Sequence, residues 1–153
     1  MSIEQRLAQS GVELSAPGNP KGSYVPAITV SGMVYVSGTL PILGDSMLAT
    51  GIVGREVDLA QAQACARQCI VNILSRLNAD LGGLDRIEQW VKLTGFIASA
   101  PDFTDQPKVM NVASDLVKEI FADAGSHARS AVGVAALPLG APVEVEAIVK
   151  LRS

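Results

Sequence analysis

Only two long stretches of this chain repeat their apolar residues at helical spacing, and this limits the fold more than any other feature. In the first, Leu59, Ala62, Ala66, Cys69, Ile70, Ile73 and Leu77 recur at steps of three and four, which is one face of a helix. Asp58 is placed to cap its start, and Leu81-Gly82-Gly83 to stop it. The second covers 107–123, with Val109, Val112, Leu116, Val117, Ile120 and Phe121 inward and Gly125 at its end. Most of the remaining apolar sequence reads as strands. "YVPAITV" (24–30) and "MVYVSG" (33–38) flank Ser31-Gly32, a two-residue hairpin signal. "WVKLTGFIAS" (90–99), 129–136 and "VEVEAIVKL" (143–151) follow. Residues 39–57 read as irregular, with a short strand near 48–53. A short helix over 2–10, capped by Ser2 and ended by Gly11, opens the chain, and the Gly/Pro/Ser-rich 15–23 reads as a loop. The order predicts an α+β fold, a sheet with both long helices on one face. Two helices cannot cover both sides of so wide a sheet. The other side is expected to carry Ala131, Gly133, Ala135 and Ile148 and to meet another copy of the chain.

At 153 residues the chain fits a single domain, 1–153. Net charge is −3 with a pI near 5.1 and no Lys/Arg cluster, which argues against a nucleic-acid partner. No basic segment leads into an apolar core at the N-terminus, and no apolar run reaches membrane-spanning length, so a cytoplasmic protein is expected. Cys65 and Cys69 lie four apart on one helix, where a disulfide fits poorly. With one histidine, His127, in the chain, a metal site is not expected, and free thiols are.

The chemistry concentrates in "HARSAVGVAALP" (127–138). Arg129 heads a row of small residues at every second position, Ala131, Gly133 and Ala135. A guanidinium is always charged and presents a planar fork matched to a carboxylate. If the row leaves space beside it, a small carboxylate ligand fills that space; the other reading pairs Arg129 with an acid at a strand end or subunit contact. Glu144 and Glu146 share a face with Ile148. Either they form a solvated strand end or an interface ion pair, or one of them orients water or moves a proton.

"ARSAVGVAALP" followed by "VEVEAIVKL" closely resembles the signature of the Rid (YjgF type) reactive-intermediate deaminases. "GSYVPAI", "VYVSGTLP" and "VMNVASDL" are similar to further segments of that family, in its order. The resemblance runs from residue 17 to the C-terminus, leaving 1–16 as an N-terminal extension. It implies a chorismate-mutase-like fold, a homotrimer with clefts between subunits, and hydrolysis of 2-imino acids and their enamines, of the 2-aminoacrylate type, to 2-keto acids and ammonia without metal or cofactor. On that resemblance Arg129 holds the substrate carboxylate, Glu144 places the attacking water, and Tyr24, Ser37, Gly38, Asn111 and Ala131 line the cleft. Each has a plainer alternative: Tyr24 a strand aromatic, Ser37-Gly38 a turn, Asn111 an exposed helix residue. Family members often carry Cys two residues after the arginine and an acid at the fourth, where this chain has Ala131 and Gly133. Two other functions compete. A non-catalytic pocket protein for keto acids would use Arg129 but not Glu144. An endoribonuclease, an activity attributed to some family members, is disfavoured by the acidic pI and single histidine.

The strand order also carries a geometric expectation. With the short connection 137–142, strands 129–136 and 143–151 should run antiparallel, whether paired directly or flanking 90–99 as the resemblance implies. Residue 136 is then level with 143, and Arg129 lies about 20 Å from Glu144 along the sheet. If the two serve one substrate, they come from different subunits.

Overall fold

The computed structural model describes residues 1–20 and 22–153. Within the expected loop 15–23, Lys21 lies outside the described residues. The chain forms α1 (Ile3–Gln9), β1 (Ala27–Val30), β2 (Met33–Thr39), β3 (Ile42–Leu43), β4 (Ser46–Met47), α2 (Leu59–Leu81), β5 (Ile87–Ala98), α3 (Gln106–Phe121), β6 (Ala128–Val134) and β7 (Val143–Leu151). Five strands make one sheet in the order β1-β2-β7-β5-β6, and β3-β4 is a separate two-stranded ribbon. The β5–β6 pair is parallel, and the other pairs of the large sheet are antiparallel. The sheet is therefore mixed, with α2 and α3 on one face, as the order of elements implied. β6 and β7 flank β5 and run opposite to each other.

Local chemistry explains the boundaries. Asp58 accepts from the Gln61 amide at 2.8 Å while Gln61 Oε1 accepts from the Asp58 amide at 2.9 Å; such a capping box contributes about 1 kcal/mol. Gly82 ends α2 at φ 72°, a left-handed conformation that costs glycine nothing. β1 begins at Ala27 rather than at residue 24, because Val25 and Pro26 give their carbonyls to Ser37 instead of a strand ladder. No strand forms over 48–53. Only Val53 pairs, exchanging hydrogen bonds with Ala98 at the end of β5 and Ala100 just past it.

The core lies between the helices and the sheet. Leu74, Leu77, Met110, Ile120, Leu93, Ile97, Val145 and Val149 are buried in it. The N-terminal segment joins the same buried cluster through Leu7 and Val12. It is tied to α2 by Arg67 donating to the Ser10 carbonyl at 2.6 Å and Arg76 donating to the Gly18 carbonyl at 2.6 Å. Among the described residues, no helix is long and apolar enough to cross a membrane.

Cys65 and Cys69 are free and fully buried. Burial pushes the Cys65 thiol up to about 11 and raises Cys69 well above its ordinary value. Since the thiolate is the nucleophile, the native protein should resist a thiol reagent at pH 8 and react stoichiometrically only in denaturant. The Cys65→Ala/Cys69→Ala protein should keep its rate per folded molecule. Fast labelling of the native protein, or loss of rate with intact folding, would contradict the burial.

Candidate active site

Arg129 does not face the open side of the sheet. In the β5–β6 register it pairs with Leu93, and Ala131 and Gly133 pair with Gly95 and Ile97. Leu93 and Ile97 are buried under the helices, so the whole row lies on the helix side. The expected placement of Ala131 and Gly133 on the uncovered face is thus corrected. That face carries Ser130, Val132 and Val134 instead, and Ala135 lies past the end of β6.

The small residues have a packing cause. A Cβ at Gly133 would lie 2.7 Å from Ser99 Oγ and 3.0 Å from Gln106 Nε2, and one at Gly95 would run into Met110. Ala131 packs against the core. The row is small so that α3 can approach β5 and β6 closely, with Ser99 and Gln106 against Gly133 and Met110 against Gly95. At its head Arg129 reaches across to α3. Its Nη1 donates to Asn111 Oδ1 at 3.0 Å and to Ser114 Oγ at 3.1 Å, and Nη2 lies 3.5 Å from the Pro107 carbonyl. Among the described residues, no carboxylate lies within 4.0 Å of it, and Nε has no protein acceptor. The guanidinium is held by neutral groups with its charge uncompensated.

Ser114 and His127 belong to this cluster and were not singled out from the sequence as site residues. Ser114 Oγ lies 2.9 Å from His127 Nε2, and His127 Nδ1 lies 2.6 Å from the Gly125 carbonyl. Two periodicities signal the contact: Pro107, Asn111, Ser114 and Lys118 form one stripe of α3, and His127, just before β6, is two residues from Arg129 in an extended segment. Burial, followed by the charges of Arg129 and Lys118, holds His127 below its ordinary value, against the opposing effect of the Gly125 carbonyl.

The remaining candidates collect elsewhere. Glu144 pairs with Phe96 across β5–β7, and Glu146 with Thr94. Both therefore lie on the open face, the side that also carries Ile148. β2 bulges between Val36 and Thr39, which places Gly38 under the Glu144 side chain; a Cβ there would collide with the carboxylate, its Cδ being 2.9 Å away. Burial, and then the neighbouring Glu146, raises the Glu144 carboxyl above its ordinary value. Ser37 Oγ donates to the Val25 carbonyl at 2.7 Å, and its amide donates to the Pro26 carbonyl at 2.9 Å. These bonds hold the segment carrying Tyr24, half exposed, beside the bulge.

The candidates thus fall into two groups: Arg129, Asn111 and Ala131 with α3, and Glu144, Gly38, Ser37 and Tyr24 at the β2 bulge. Val143 and Gly133 are both level with Ile97, and Arg129 is level with Ala147. Arg129 and Glu144 are therefore three residues apart along the sheet rather than seven. That is about 10 Å along it and about 10 Å across two strand spacings, with side chains on opposite faces. One chain cannot bring them together. Among the described residues, no group of three or more His, Cys, Asp or Glu could hold a metal ion.

Residues 13–151 match a family described as Endoribonuclease L-PSP. The chain is 41% identical to "Protein TCP17" of Trypanosoma cruzi over 152 residues, covering 99% of this chain and 95% of that protein. It is 34% identical over 128 residues to a 2-iminobutanoate/2-iminopropanoate deaminase of Bos taurus, covering 83% of this chain and 79% of the relative. Among solved structures it superposes on the protein Atu1372 of Agrobacterium tumefaciens with a TM-score of 0.91 and 44% identity, covering 98% of this chain and 92% of that one.

Proposed function

The chain belongs to the Rid (YjgF) family, whose matching model carries the endoribonuclease L-PSP name, and on that premise we propose that it hydrolyses small 2-imino acids and their enamine tautomers to 2-keto acids and ammonia. It is a deaminase-like hydrolase, in keeping with its deaminase-named relatives. The observation that carries the substrate class is the Arg129 fork. Nη1 is spent on Asn111 and Ser114, while the Nε edge has no protein acceptor among the described residues. That edge suits a carboxylate docked bidentately.

The chemistry then needs a group that takes a proton from water. Glu144 in this reading accepts it as the water oxygen bonds to the imine carbon. Glu144 returns that proton to the nitrogen, giving the carbinolamine, then takes the hydroxyl proton as the C–N bond breaks and passes it to the departing nitrogen, so that ketone and ammonia form and the carboxylate is regenerated. A carboxyl raised toward working pH is a stronger base than an ordinary one, and burial raises Glu144. Because such imines hydrolyse unaided, positioning supplies much of the rate.

The site requires a neighbouring copy, and the assembly we propose is a homotrimer. The open face exposes Ile28, Val30, Tyr35 and Val132, an apolar surface of the kind that marks an interface. It also carries Glu144, while Arg129 sits on β6 at one edge of the sheet. A neighbour docking its β6 edge near that face brings an Arg129 to a foreign Glu144. The pocket-protein alternative leaves Glu144 idle, and the net charge of −3 and pI near 5.1 argue against a polynucleotide substrate.

The test is ammonia release from imines made in situ by an amino-acid oxidase. Acceleration over the spontaneous rate is expected; binding of 2-oxobutyrate without acceleration would leave only the pocket protein. A second measurement probes the base. Gly38→Ala should push the Glu144 carboxylate aside, lowering kcat about tenfold or more, the range of a misplaced general base. Its melting temperature should change little, since the displaced group is the end of a flexible side chain. An unchanged kcat would remove Glu144 from the chemistry.

A further inference from the structure

The hydrogen bonds behind Arg129 run in one direction. The Gly125 carbonyl can only accept, so His127 Nδ1 carries a proton. Arg129 Nη1 can only donate, so Ser114 Oγ accepts from it. The Ser114 hydroxyl proton then needs an acceptor, and in this rotamer the one at hydrogen-bond distance among the described residues is His127 Nε2, 2.9 Å away. The chain reads Arg129 to Ser114 to His127 to Gly125, each donating to the next. Gly125 anchors its end: a Cβ there would lie 2.6 Å from the Val117 carbonyl and 2.9 Å from Lys118 Cα, so only glycine sits this close to α3.

We propose that His127, as the Nδ1–H tautomer, is a positioning residue that orients Arg129 for substrate through the Ser114 hydroxyl. By accepting from Ser114, His127 turns a serine lone pair toward Nη1. Together with Asn111, this spends both Nη1 hydrogens on α3 and fixes the plane of the guanidinium. The Nε and Nη2 edge then points to one place instead of sweeping with the side chain. Without the histidine, Ser114 is free to turn its hydroxyl to the α3 backbone, a common habit of serine in helices, and Arg129 loses one of its two short anchors. Protonated His127 would have to donate to Ser114, setting two cations across one hydroxyl. Arg129 and Lys118 are the charged groups that face the ring.

The proposal rests on the reading of Arg129 as the carboxylate clamp, and its test separates the two. His127 is the only histidine in the chain, so its ring nitrogens are unambiguous in a 15N-labelled protein. The free protein should show the neutral Nδ1–H tautomer, the minor one in water. An Nε2–H ring would overturn the relay whatever Arg129 does. In calorimetry with 2-oxobutyrate, His127→Leu should weaken binding about tenfold. His127→Gln, whose amide oxygen can accept where Nε2 does, should stay within about twofold of wild type. In turnover, His127→Leu should raise KM with kcat changed less than threefold, because Glu144 and its water lie elsewhere; a merely structural histidine would lower the folded fraction without splitting KM from kcat. Melting curves check that both variants fold. If Arg129→Ala loses binding while His127→Leu keeps it, the relay fails and the clamp stands. If Arg129→Ala binds as well as wild type, the clamp fails, and the tautomer alone judges the network.

Discussion

Arg129→Ala should lose at least about a hundredfold in affinity for 2-oxobutyrate, the scale for truncating one partner of a hydrogen-bonded charge pair. The expectation is large because Arg129 presents the two-pronged donor edge there, held by Asn111, Ser114 and the Pro107 carbonyl. Nothing else in that group carries charge to receive a carboxylate. Arg129→Lys should recover little. An ammonium is a point charge with three donors, and it cannot both satisfy Asn111 and Ser114 and offer a two-pronged edge outward. Fold loss is not the cause to expect, since Arg129 makes no ion pair with any described residue. Calorimetry on the three proteins, with circular dichroism as a folding check, decides it. Equal affinity in wild type and Arg129→Ala removes the residue from the site.

Mixed oligomers should recover what pure variants lose. Arg129→Ala and Glu144→Gln proteins are each expected to be nearly inactive. When denatured together and refolded at equal ratio, their chains should give about one quarter of the clefts an intact Arg129 from one subunit and an intact Glu144 from its neighbour, as head-to-tail assembly requires. The two side chains leave opposite faces of the sheet, so no rotamer unites them within a chain. Activity near a quarter of wild type would support a shared cleft. Mixed trimers, verified by mass and still inactive, would mean that the two residues do not serve one substrate.

Several parts of this architecture were legible in the sequence because they obey strong local rules. Asp58 and Gly82 bracket α2 by capping chemistry, and the Val–Glu alternation of 143–151 identifies β7 and its two faces. Other features left no periodic trace. Ile42–Leu43 and Ser46–Met47 are too short to show a period. Ala131 and Gly133 carry so little side chain that hydropathy could not tell the helix side from the open one; the deciding contact was Gln106, on another element. The offset between Arg129 and Glu144 depended on a register that β5 sets for both neighbours. Ser114 and His127 were missed because each alone is unremarkable, one helix serine and one lone histidine, and their contact crosses a helix end and a turn.

The place of β7 governs how the protein can come into being. Last in chain order among the described strands, it lies at the centre of the sheet, bonded to β2 on one side and β5 on the other. Until it leaves the ribosome, the β1–β2 hairpin and the β5–β6 pair have no edge in common. At about 5–20 residues added per second, the sheet stays unclosed until β7 has been made. Glu144 arrives on the same strand that joins the halves. The nascent chain thus acquires its candidate base and its structural keystone in one step.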